Sequence, residues 1–475
     1  MSHHHGMSHL GGMHSFCHFG HRAQPGDRFG RMFDLPPLYL PVAALQALGA
    51  QGGPMDGGTT AQRTQSVTVG HVFFGQFIDH DITLDTTSSL SAVADATTIP
   101  NARTPTLDLD CIYGAGPEAH PFLYHASGAF AGVKLLTGAD GTAVAQDPAL
   151  AQDDLARSAH GTAIIGDPRN DENRIVSQLQ LAMIRFHNKV ADTLHALPGN
   201  TLAGGDLFEA VRRTVTWHYQ WVVLQDFLVA MCGAAVVSDI LGNGRRYYCA
   251  AQGDPFIPIE FAAAAYRFGH SMIPQKIQIQ KGKPALEVFG PVLGEGFAPL
   301  SDARAVVDWN ELVTAAPGHN VQKAEKLDSK LATDLLALPF IPAGDVQSLA
   351  ARNLLRGQTF LLPSGENVAL ALGRAQAEID KVSQAAAGIA GTAADLSAGT
   401  PLWFYLLVEA EKIGRETTPG HFDKGEGLGP VGARIVAETL IGLLELDPRS
   451  FLAGNRNWDP AQGVGVATLG ALLTF

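Results

Sequence analysis

The sequence predicts a mainly α-helical protein with little β-structure, and two observations favour this fold class. Apolar residues recur at helical spacing over two long stretches, residues 174–197 and 207–231. A shorter stretch, residues 73–81, is apolar on most sides, as expected of a helix buried in a core. With 475 residues, 46% of them hydrophobic and 17% charged, the chain has ample apolar material for a large globular core.

The shorter segments are assigned in chain order. We expect a short helix near residues 42–48 and loops with short strands over residues 115–160. Small residues over 258–270 predict a helix, and so does the stretch 350–357. Residues 384–400 are rich in Ala and Gly, which favours a mobile loop, and helices return over residues 401–446.

We expect one domain over residues 25–475, preceded by a flexible His-rich arm over residues 1–24. Seven of the 18 histidines lie in the first 22 positions, so adventitious metal binding by this arm stays open. No linker is polar or long enough to divide the rest of the chain.

Charge and composition limit the partners and the compartment. The net charge of −13 argues against nucleic acid or an anionic membrane as the main partner. No apolar run reaches the roughly 20 residues that a membrane span needs. The N-terminus lacks the features of a signal peptide, so we expect a cytoplasmic protein or export by a non-classical route. The four cysteines are widely spaced and predict neither a zinc site nor a dense disulfide framework.

The stretch 73–81 places a histidine, His80, between two carboxylates, Asp79 and Asp81. Consecutive side chains on a helix point roughly 100° apart, so these three groups must face three different surroundings. Gln76 lies one turn earlier and shares the face of His80. A buried histidine held by two acids for structural reasons alone is the alternative interpretation.

Oxygen-bearing side chains alternate along residues 104–110: Thr104, Thr106, Asp108 and Asp110. In an extended run these residues lie on one side. Calcium takes six to eight oxygen ligands, and this spacing offers several of them from one short loop. A solvated acidic loop without an ion is the alternative.

Five segments together resemble the animal-type haem peroxidases, the superfamily that includes myeloperoxidase, lactoperoxidase and the cyclooxygenases. They occur in the expected order and cover nearly the whole chain. They are residues 73–81, 104–114, 166–173 (GDPRNDEN), 258–270 and 350–357. The resemblance implies the helical fold of that family with haem b at its centre, and the composition resembles that of a bacterial member.

On the open side of the haem, the resemblance implies that His80 acts as base and then as acid on hydrogen peroxide. Arg169 is similar to the cation that stabilises the leaving oxygen, and Gln76 to the residue that orders a water or halide. The implied outcome is a ferryl haem. Asp81 is implied as a calcium ligand together with the oxygens of residues 104–110, of which Thr106 contributes its backbone carbonyl.

On the other side of the haem, the resemblance implies His270 as the iron ligand, with Asn353 accepting its second N–H. Arg356 resembles a propionate-binding residue, and Arg267 is the residue that peroxidases have at its position.

The family also forms ester bonds between carboxylates and haem methyl groups, and Asp79 and Glu172 match both positions. A third tether, through a methionine sulfonium, is not expected, because Asn173 stands at that position.

The implied function is a peroxidase that oxidises iodide, bromide, thiocyanate or phenols. A fatty-acid dioxygenase of the cyclooxygenase type is the main alternative. Those relatives have a radical Tyr three residues before the iron ligand, where this chain has Arg267. Tyr266 stands one place earlier and is predicted to point roughly 100° away from Arg267. A non-enzymatic haem-binding adhesion or defence module is the third possibility.

Overall fold

The computed structural model describes residues 29–475 except 60–61, 86–89, 91–98, 142–145, 252 and 315. The fold is mainly α-helical, as the sequence predicts, and the His-rich arm lies outside the described residues. The α-helices in chain order are α1 (Val42–Leu48), α2 (Val69–Ile82), α3 (Asp110–Tyr113), α4 (Arg174–His195), α5 (Gly204–Val222), α6 (Leu228–Cys232), α7 (Ala234–Asn243), α8 (Ile259–Ala262), α9 (Trp309–Leu312), α10 (Leu349–Thr359), α11 (Gly365–Ala371), α12 (Gln376–Ala390), α13 (Leu402–Lys412), α14 (Pro430–Leu446), α15 (Phe451–Gly454) and α16 (Leu469–Leu473).

The β-structure of the described residues consists of two-stranded pairs. The first pair is parallel and the others are antiparallel. The pairs are β1 (Phe29–Gly30) with β3 (Ile257–Pro258), β2 (Arg63–Thr68) with β6 (Lys323–Glu325), β4 (Lys276–Ile277) with β5 (Leu286–Glu287), and β7 (Arg415–Thr418) with β8 (His421–Asp423).

Helix α2 is buried on nearly all of its faces. Its first turn is capped by Thr68, whose hydroxyl accepts a hydrogen bond from the backbone N–H of His71. Phe74 and Phe77 are fully buried and meet the ring of Tyr219 on α5 edge-on, with ring centroids 5.9 and 6.2 Å apart. The polar residues near the end of α2 are therefore held inside the protein.

Two further helices fix residues beside α2. Helix α4 begins at Asn173, whose side chain caps it by accepting from the N–H of Val176 at 3.0 Å, and it packs against α2 and α5. Helix α10 begins after Ser348, which accepts from the N–H of Ala351 at 3.2 Å. Helix α4 was predicted from its apolar spacing and α10 from the family resemblance, and α1 also lies where it was predicted.

The structure corrects three sequence-based assignments. Residues 384–390 belong to α12 and are not a loop, because alanine favours helix and apolar residues of α12 pack on α13. The stretch 258–270 is not one helix, since α8 ends at Ala262 and Ala265–Met272 is 3₁₀-helical. The predicted helix over 207–231 is interrupted by a π-helical turn, Val223–Phe227.

Two absences hold for the described part of the chain. None of its helices combines the length and apolarity that crossing a bilayer would require. Three of the four cysteines lie in it, and Cys111, Cys232 and Cys249 are all free thiols.

The close packing at the start of α2 can be tested with Gly70→Ala. A Cβ at this position would lie 2.8 Å from the backbone oxygen of Leu312 and would overlap the side chain of Val313. We expect a loss of ~1–3 kcal/mol in the free energy of unfolding, measured by urea denaturation. Gly388→Ala in α12 is the matched control, because nothing lies within 4 Å of its Cβ position. The control should gain ~0.4–1 kcal/mol, and equal effects of the two changes would contradict this account.

Candidate active site

A cavity between α2 and the 3₁₀ segment Ala265–Met272 is lined by six of the nine residues that were predicted for the haem site. His80 and His270, which are 190 positions apart in sequence, both line it. Its polar lining is Gln76, Asp79, His80, Glu172, Tyr266, Arg267 and His270, and its apolar lining includes Val72, Phe73, Phe227, Met231 and Ile273. The predicted meeting of the two imidazoles at one pocket is therefore observed.

His80 is held as a neutral base with one nitrogen directed by hydrogen bonding. Its Nδ1 lies 2.7 Å from Oδ1 of Asn170. The amide of Asn170 is itself oriented, because its Nδ2 donates to Gln180 at 2.8 Å and Gln180 donates to the carbonyl of Cys111. Nδ1 of His80 must then carry the proton, which leaves the lone pair on Nε2. Burial, reinforced by the positive charge of Arg169, lowers the pKa of His80 to about 4.

Asn170 was not singled out from the sequence. It belongs to the GDPRNDEN segment and follows Arg169 directly, but an asparagine in a 3₁₀ turn is ordinarily read as a turn residue. Its role depends on the side chain of Gln180, which α4 supplies one helical turn and a half after its start.

Two carboxylates line the cavity with His80. Oδ1 of Asp79 accepts a hydrogen bond from the hydroxyl of Thr83 at 2.9 Å. Glu172 accepts a hydrogen bond from the side-chain amide of Gln76. Burial raises the pKa of Glu172 to about 7, although the nearby charge of Arg169 acts in the opposite direction. The predicted pairing of Gln76 with the face of His80 is observed, since both line the cavity.

Arg169 lies beside His80 but does not line the cavity. Its guanidinium donates to the backbone oxygens of His80 and Thr83 at 3.0 and 2.6 Å and to the carboxylate of Asp167. The buried Arg103 also pairs with Asp167. These contacts occupy Arg169, so its charge acts on His80 through space, while its hydrogen bonds fix the end of α2.

His270 contacts Asn353, which was predicted for its side of the cavity, and Asn353 in turn contacts Arg267. Its Nδ1 lies 2.8 Å from Nδ2 of Asn353, whose Oδ1 accepts from Arg267 at 3.3 Å. Burial, with the charge of Arg267 adding to it, lowers the pKa of His270 to about 3, so the imidazole is neutral. The amide of Asn353 presents Nδ2 to Nδ1, so the predicted contact, in which its oxygen accepts the second N–H, is not the one observed. Nε2 is the ring nitrogen left for a metal, and it can bind one only when its proton has moved to Nδ1.

Basic side chains surround this side of the cavity. Arg267 donates to the carbonyl of Ala262 at 2.9 Å, and burial lowers its pKa to about 10. Arg356, on α10, lies 3.8 Å from Asp85 and over the ring of Phe360. The predicted cation pair, Arg267 and Arg356, is thus found on the same side as His270, where carboxylates of a ligand would be neutralised.

Tyr266 lines the cavity together with Arg267, although successive side chains of the 3₁₀ segment Ala265–Met272 point roughly 120° apart. Its ring stacks on Phe261 with centroids 4.4 Å apart, and its buried hydroxyl has no hydrogen-bond partner among the described residues. Tyr266 and Arg267 thus reach the same cavity from adjacent positions of the 3₁₀ segment.

Behind α2, the acidic side chains predicted for a cation converge. Carboxylate oxygens of Asp81, Asp108 and Asp110 lie within 4.8 Å of one another, and all three residues are buried. Oδ1 of Asp81 and Oδ2 of Asp110 have no hydrogen-bond partner in the described chain. Burial and mutual repulsion raise the pKa values of Asp81 and Asp110. An unpaired, buried carboxylate oxygen is costly, and a hard cation would satisfy these oxygens.

The two threonines of the predicted cation loop lie against the same carboxylates. Hydroxyls of Thr104 and Thr106 donate to Asp108 at 3.2 Å. The loop reverses at Leu109, which has a left-handed backbone (φ 60°) and donates its N–H to Asp81 at 3.2 Å. Five oxygen-bearing residues from α2 and this loop are therefore assembled at one place.

The chain also matches a known protein family in sequence. The model for the animal haem peroxidase domain matches residues 87–373, which is more than half of the chain. The chain belongs to the animal haem peroxidase family. The resemblance inferred from its motifs is confirmed.

Curated relatives match over a shorter stretch. Chorion peroxidase of Drosophila melanogaster is 33% identical over 121 residues, which is 24% of this chain and 15% of that protein. Eosinophil peroxidase of Mus musculus is 30% identical over 128 residues, which is 27% of this chain and 17% of that protein. The matched segment thus spans less than a fifth of either relative.

Solved structures match over almost the whole chain. Peroxidase A of Dictyostelium discoideum has a TM-score of 0.63 at 17% identity, with 94% of each chain covered. A fatty acid α-dioxygenase of Arabidopsis thaliana has a TM-score of 0.60 at 16% identity, with 94% of this chain and 77% of that chain covered. At such identities the likeness confirms the predicted helical fold. It does not distinguish a peroxidase from a dioxygenase.

Family membership implies haem, and the residues of the cavity fit it. His270 offers a neutral nitrogen for iron, the apolar lining suits a porphyrin face, and two arginines suit its carboxylates. His80, whose Nε2 is unprotonated, lies on the wall formed by α2. The donor set is therefore consistent with one haem between the two histidines.

The low pKa values of the buried histidines predict a pH dependence of stability. The unfolded chain binds a proton at His80 below pH ~6.5, whereas the folded chain does so only below about 4. The free energy of unfolding should therefore fall as the pH decreases from ~6.5 to about 4, by up to roughly 3 kcal/mol for this residue. In His80→Gln, urea denaturation across this pH range should show a shallower fall than in the wild-type protein. Parallel curves for the two proteins would contradict the assignment.

Proposed function

We propose that this protein is a haem-dependent peroxidase that reduces hydrogen peroxide and oxidises small anionic or phenolic donors. The observation that carries the proposal is that His80 and His270 line one cavity, while Asn170 directs the free Nε2 of His80. When bound, haem supplies an iron that accepts oxidising equivalents from peroxide and passes them to the donor.

His80 is proposed as the proton carrier. Hydrogen peroxide must lose a proton from one oxygen and gain one on the other, and neutral His80 can accept the proton and return it from the same nitrogen. A pKa of about 4 keeps His80 unprotonated at neutral pH. Gln76 lies one turn away and is proposed to order a water or a halide there. Arg169 supports the transfer by keeping His80 neutral and fixing the end of α2.

Metal ligation is proposed for His270, and carboxylate binding for Arg267 and Arg356. Asn353 holds the second nitrogen of His270 and so fixes the plane of the ring. A neutral amide accepts the imidazole N–H more weakly than a carboxylate would, so the ring keeps less anionic character. The iron should then stay comparatively oxidising, which suits the oxidation of iodide, bromide or thiocyanate.

Calcium is proposed at the cluster of Asp81, Asp108 and Asp110, with Thr104 and Thr106 completing the loop. Ester bonds to the haem are proposed for Asp79 and Glu172, which both line the cavity. The pKa of Glu172, about 7, supports this, because the site favours a carboxyl group that carries no charge. Esterification removes the charge permanently.

Tyr266 is the observation that favours a second candidate, a fatty-acid dioxygenase. A tyrosine on the wall of the haem cavity, with a buried hydroxyl and no hydrogen-bond partner among the described residues, is placed to exchange a hydrogen atom with an apolar substrate. Oxygen uptake with linoleate that disappears in Tyr266→Phe would favour this candidate. Peroxide-driven iodide oxidation that is unchanged in Tyr266→Phe favours the peroxidase.

The two histidines should have separable roles. His80→Ala should retain haem, seen as a Soret band, but react with hydrogen peroxide roughly 10²–10⁴-fold more slowly, because its acid–base group is lost. His270→Ala should bind haem poorly. Both are measured by reconstitution with hemin followed by stopped-flow absorbance. His218→Gln is the control, since His218 is buried but bonds only to the backbone near Val466. Equal haem loss in His80→Ala and His270→Ala would overturn the assignment.

Calcium should stabilise the fold. Removal of calcium with a chelator should lower the melting temperature of the wild-type protein, because the three buried carboxylates would then repel one another. Compared with the protein at a calcium concentration of about 100 times the Kd, the free energy of unfolding should fall by on the order of 3 kcal/mol. Asp81→Asn should abolish most of this response, while Asp395→Asn, at an exposed position, should keep it. A melting temperature that is indifferent to chelation in the wild-type protein would exclude a calcium site of this strength.

Ester formation should leave haem attached to the polypeptide. After treatment with peroxide, extraction with acidified acetone should leave haem in the protein fraction of the wild type. Asp79→Asn and Glu172→Gln should each weaken retention, and the double variant should release all haem, since each change removes one acceptor carboxyl. Full release from the wild-type protein would refute the esters while leaving the peroxidase proposal intact.

A further inference from the structure

A second group of metal-ligand side chains lies away from the haem cavity and the acidic cluster. It consists of Asp308, Glu311 and His319, whose ligand atoms lie within 4.8 Å of one another. Nδ1 of His319 is 2.8 Å from Oε1 of Glu311 and 3.6 Å from Oδ2 of Asp308. These residues belong to α9 and the turn that follows it, and the proposed peroxidase chemistry uses none of them.

Each of the three side chains turns a ligand atom toward the others. Asp308 caps α9 with Oδ1, which accepts from the N–H of Asn310 at 3.0 Å, and its Oδ2 is the oxygen nearest His319. Tetrahedral ligands around zinc, with bonds of about 2.0–2.2 Å, lie roughly 3.4 Å apart. The separations of 2.8 and 3.6 Å bracket that value, so small side-chain movements suffice to place an ion between the three atoms.

Among the described residues, the two carboxylates of this group have His319 as their ion-pair partner and no lysine or arginine. The side chain of Glu311 is 1% exposed, and its second oxygen, Oε2, is buried without a hydrogen-bond partner in the described chain. The ion pairs of the described residues give neither carboxylate a lysine or arginine partner within 4.0 Å. Among these residues, His319 is the one partner shared by both carboxylates, and the second oxygen of the buried Glu311 is left without a hydrogen bond, which is unfavourable. A divalent cation beside a neutral imidazole would neutralise both carboxylates.

We propose that Asp308, Glu311 and His319 form a site for a divalent transition metal of the zinc type. One imidazole nitrogen and two carboxylate oxygens are a donor set that zinc accepts, with water in the remaining position, because Asp308 and His319 are partly exposed. The site is independent of haem and of the proposed calcium loop.

The site is placed to reinforce the start of α2. The backbone oxygen of Glu311 accepts from the N–H of Gln322 at 2.7 Å, and the oxygen of Gln322 accepts from the N–H of Val69, the first residue of α2, at 2.9 Å. A metal that joins His319 to α9 would hold the loop after α9 in place, and this loop leads to Gln322. Its role is therefore structural, at the opposite end of the helix from His80.

Zinc binding by the full-length protein tests the proposal. The protein is titrated with zinc while excess calcium fills the proposed calcium loop. The wild-type protein should bind one more equivalent of zinc at high affinity than His319→Ala does. Asp308→Asn keeps a side chain that can cap α9 and should bind this zinc roughly tenfold or more weakly. Zinc bound by the His-rich N-terminus is the same in all variants and cancels in the comparison.

The control is His421→Ala, which removes an exposed histidine 3.8 Å from Asp423 and should bind as much zinc as the wild type. If His319→Ala does not fold, Glu311→Gln/His319→Gln keeps the volume and the hydrogen bond while removing the metal-binding charge. Crystals soaked in zinc should show anomalous density beside Nδ1 of His319. Equal zinc uptake by the wild type and the folded variants, or no density at this nitrogen, would overturn the proposal.

Discussion

The structure depends on a constraint imposed by α2, which passes through the core with polar residues at its end. Three consecutive side chains, Asp79, His80 and Asp81, cannot share one environment, because a helix turns them in different directions. Asp79 and His80 reach the cavity, and Asp81 reaches the acidic cluster behind it. Burying such groups is costly unless each finds partners, so the surrounding chain is arranged to supply them.

The partners come from distant parts of the sequence and are themselves held in place. Asn170 meets His80, and its amide is oriented by Gln180 on α4. Tyr219 on α5 donates to Asp81 at 3.1 Å, while its ring packs on the phenylalanines of α2. The same aromatic packing that buries α2 therefore brings a hydroxyl to its carboxylate. Packing and polar contacts at this helix are one arrangement, and neither could be changed without the other.

Much of this could be predicted from sequence, because the local patterns were strong. The apolar spacing of α4 and the grouping of acidic residues around Asp108 correspond to the observed helix and cluster. The place of Tyr266 on the cavity wall could not be predicted, because it depends on the stacking of its ring on Phe261 and on the break between α8 and the 3₁₀ segment. Asn170 was missed because its importance lies in contacts with two residues, His80 and Gln180, that no local pattern connects to it.

The side-chain amide of Asn353 contacts both Arg267 and His270 at the cavity. In the structure its Oδ1 accepts from Arg267 and its Nδ2 faces Nδ1 of His270, which suits an imidazole with its proton on Nε2. Ligation of iron through Nε2 requires the proton on Nδ1, and that proton needs the amide oxygen as its acceptor. The amide must then rotate, and the buried Arg267 loses one of its two acceptors among the described residues while it keeps the carbonyl of Ala262, at a site where burial already lowers its pKa to about 10. A carboxylate of the ligand can replace the lost acceptor. Binding of iron at His270 and of carboxylates at Arg267 should therefore favour each other through this one side chain.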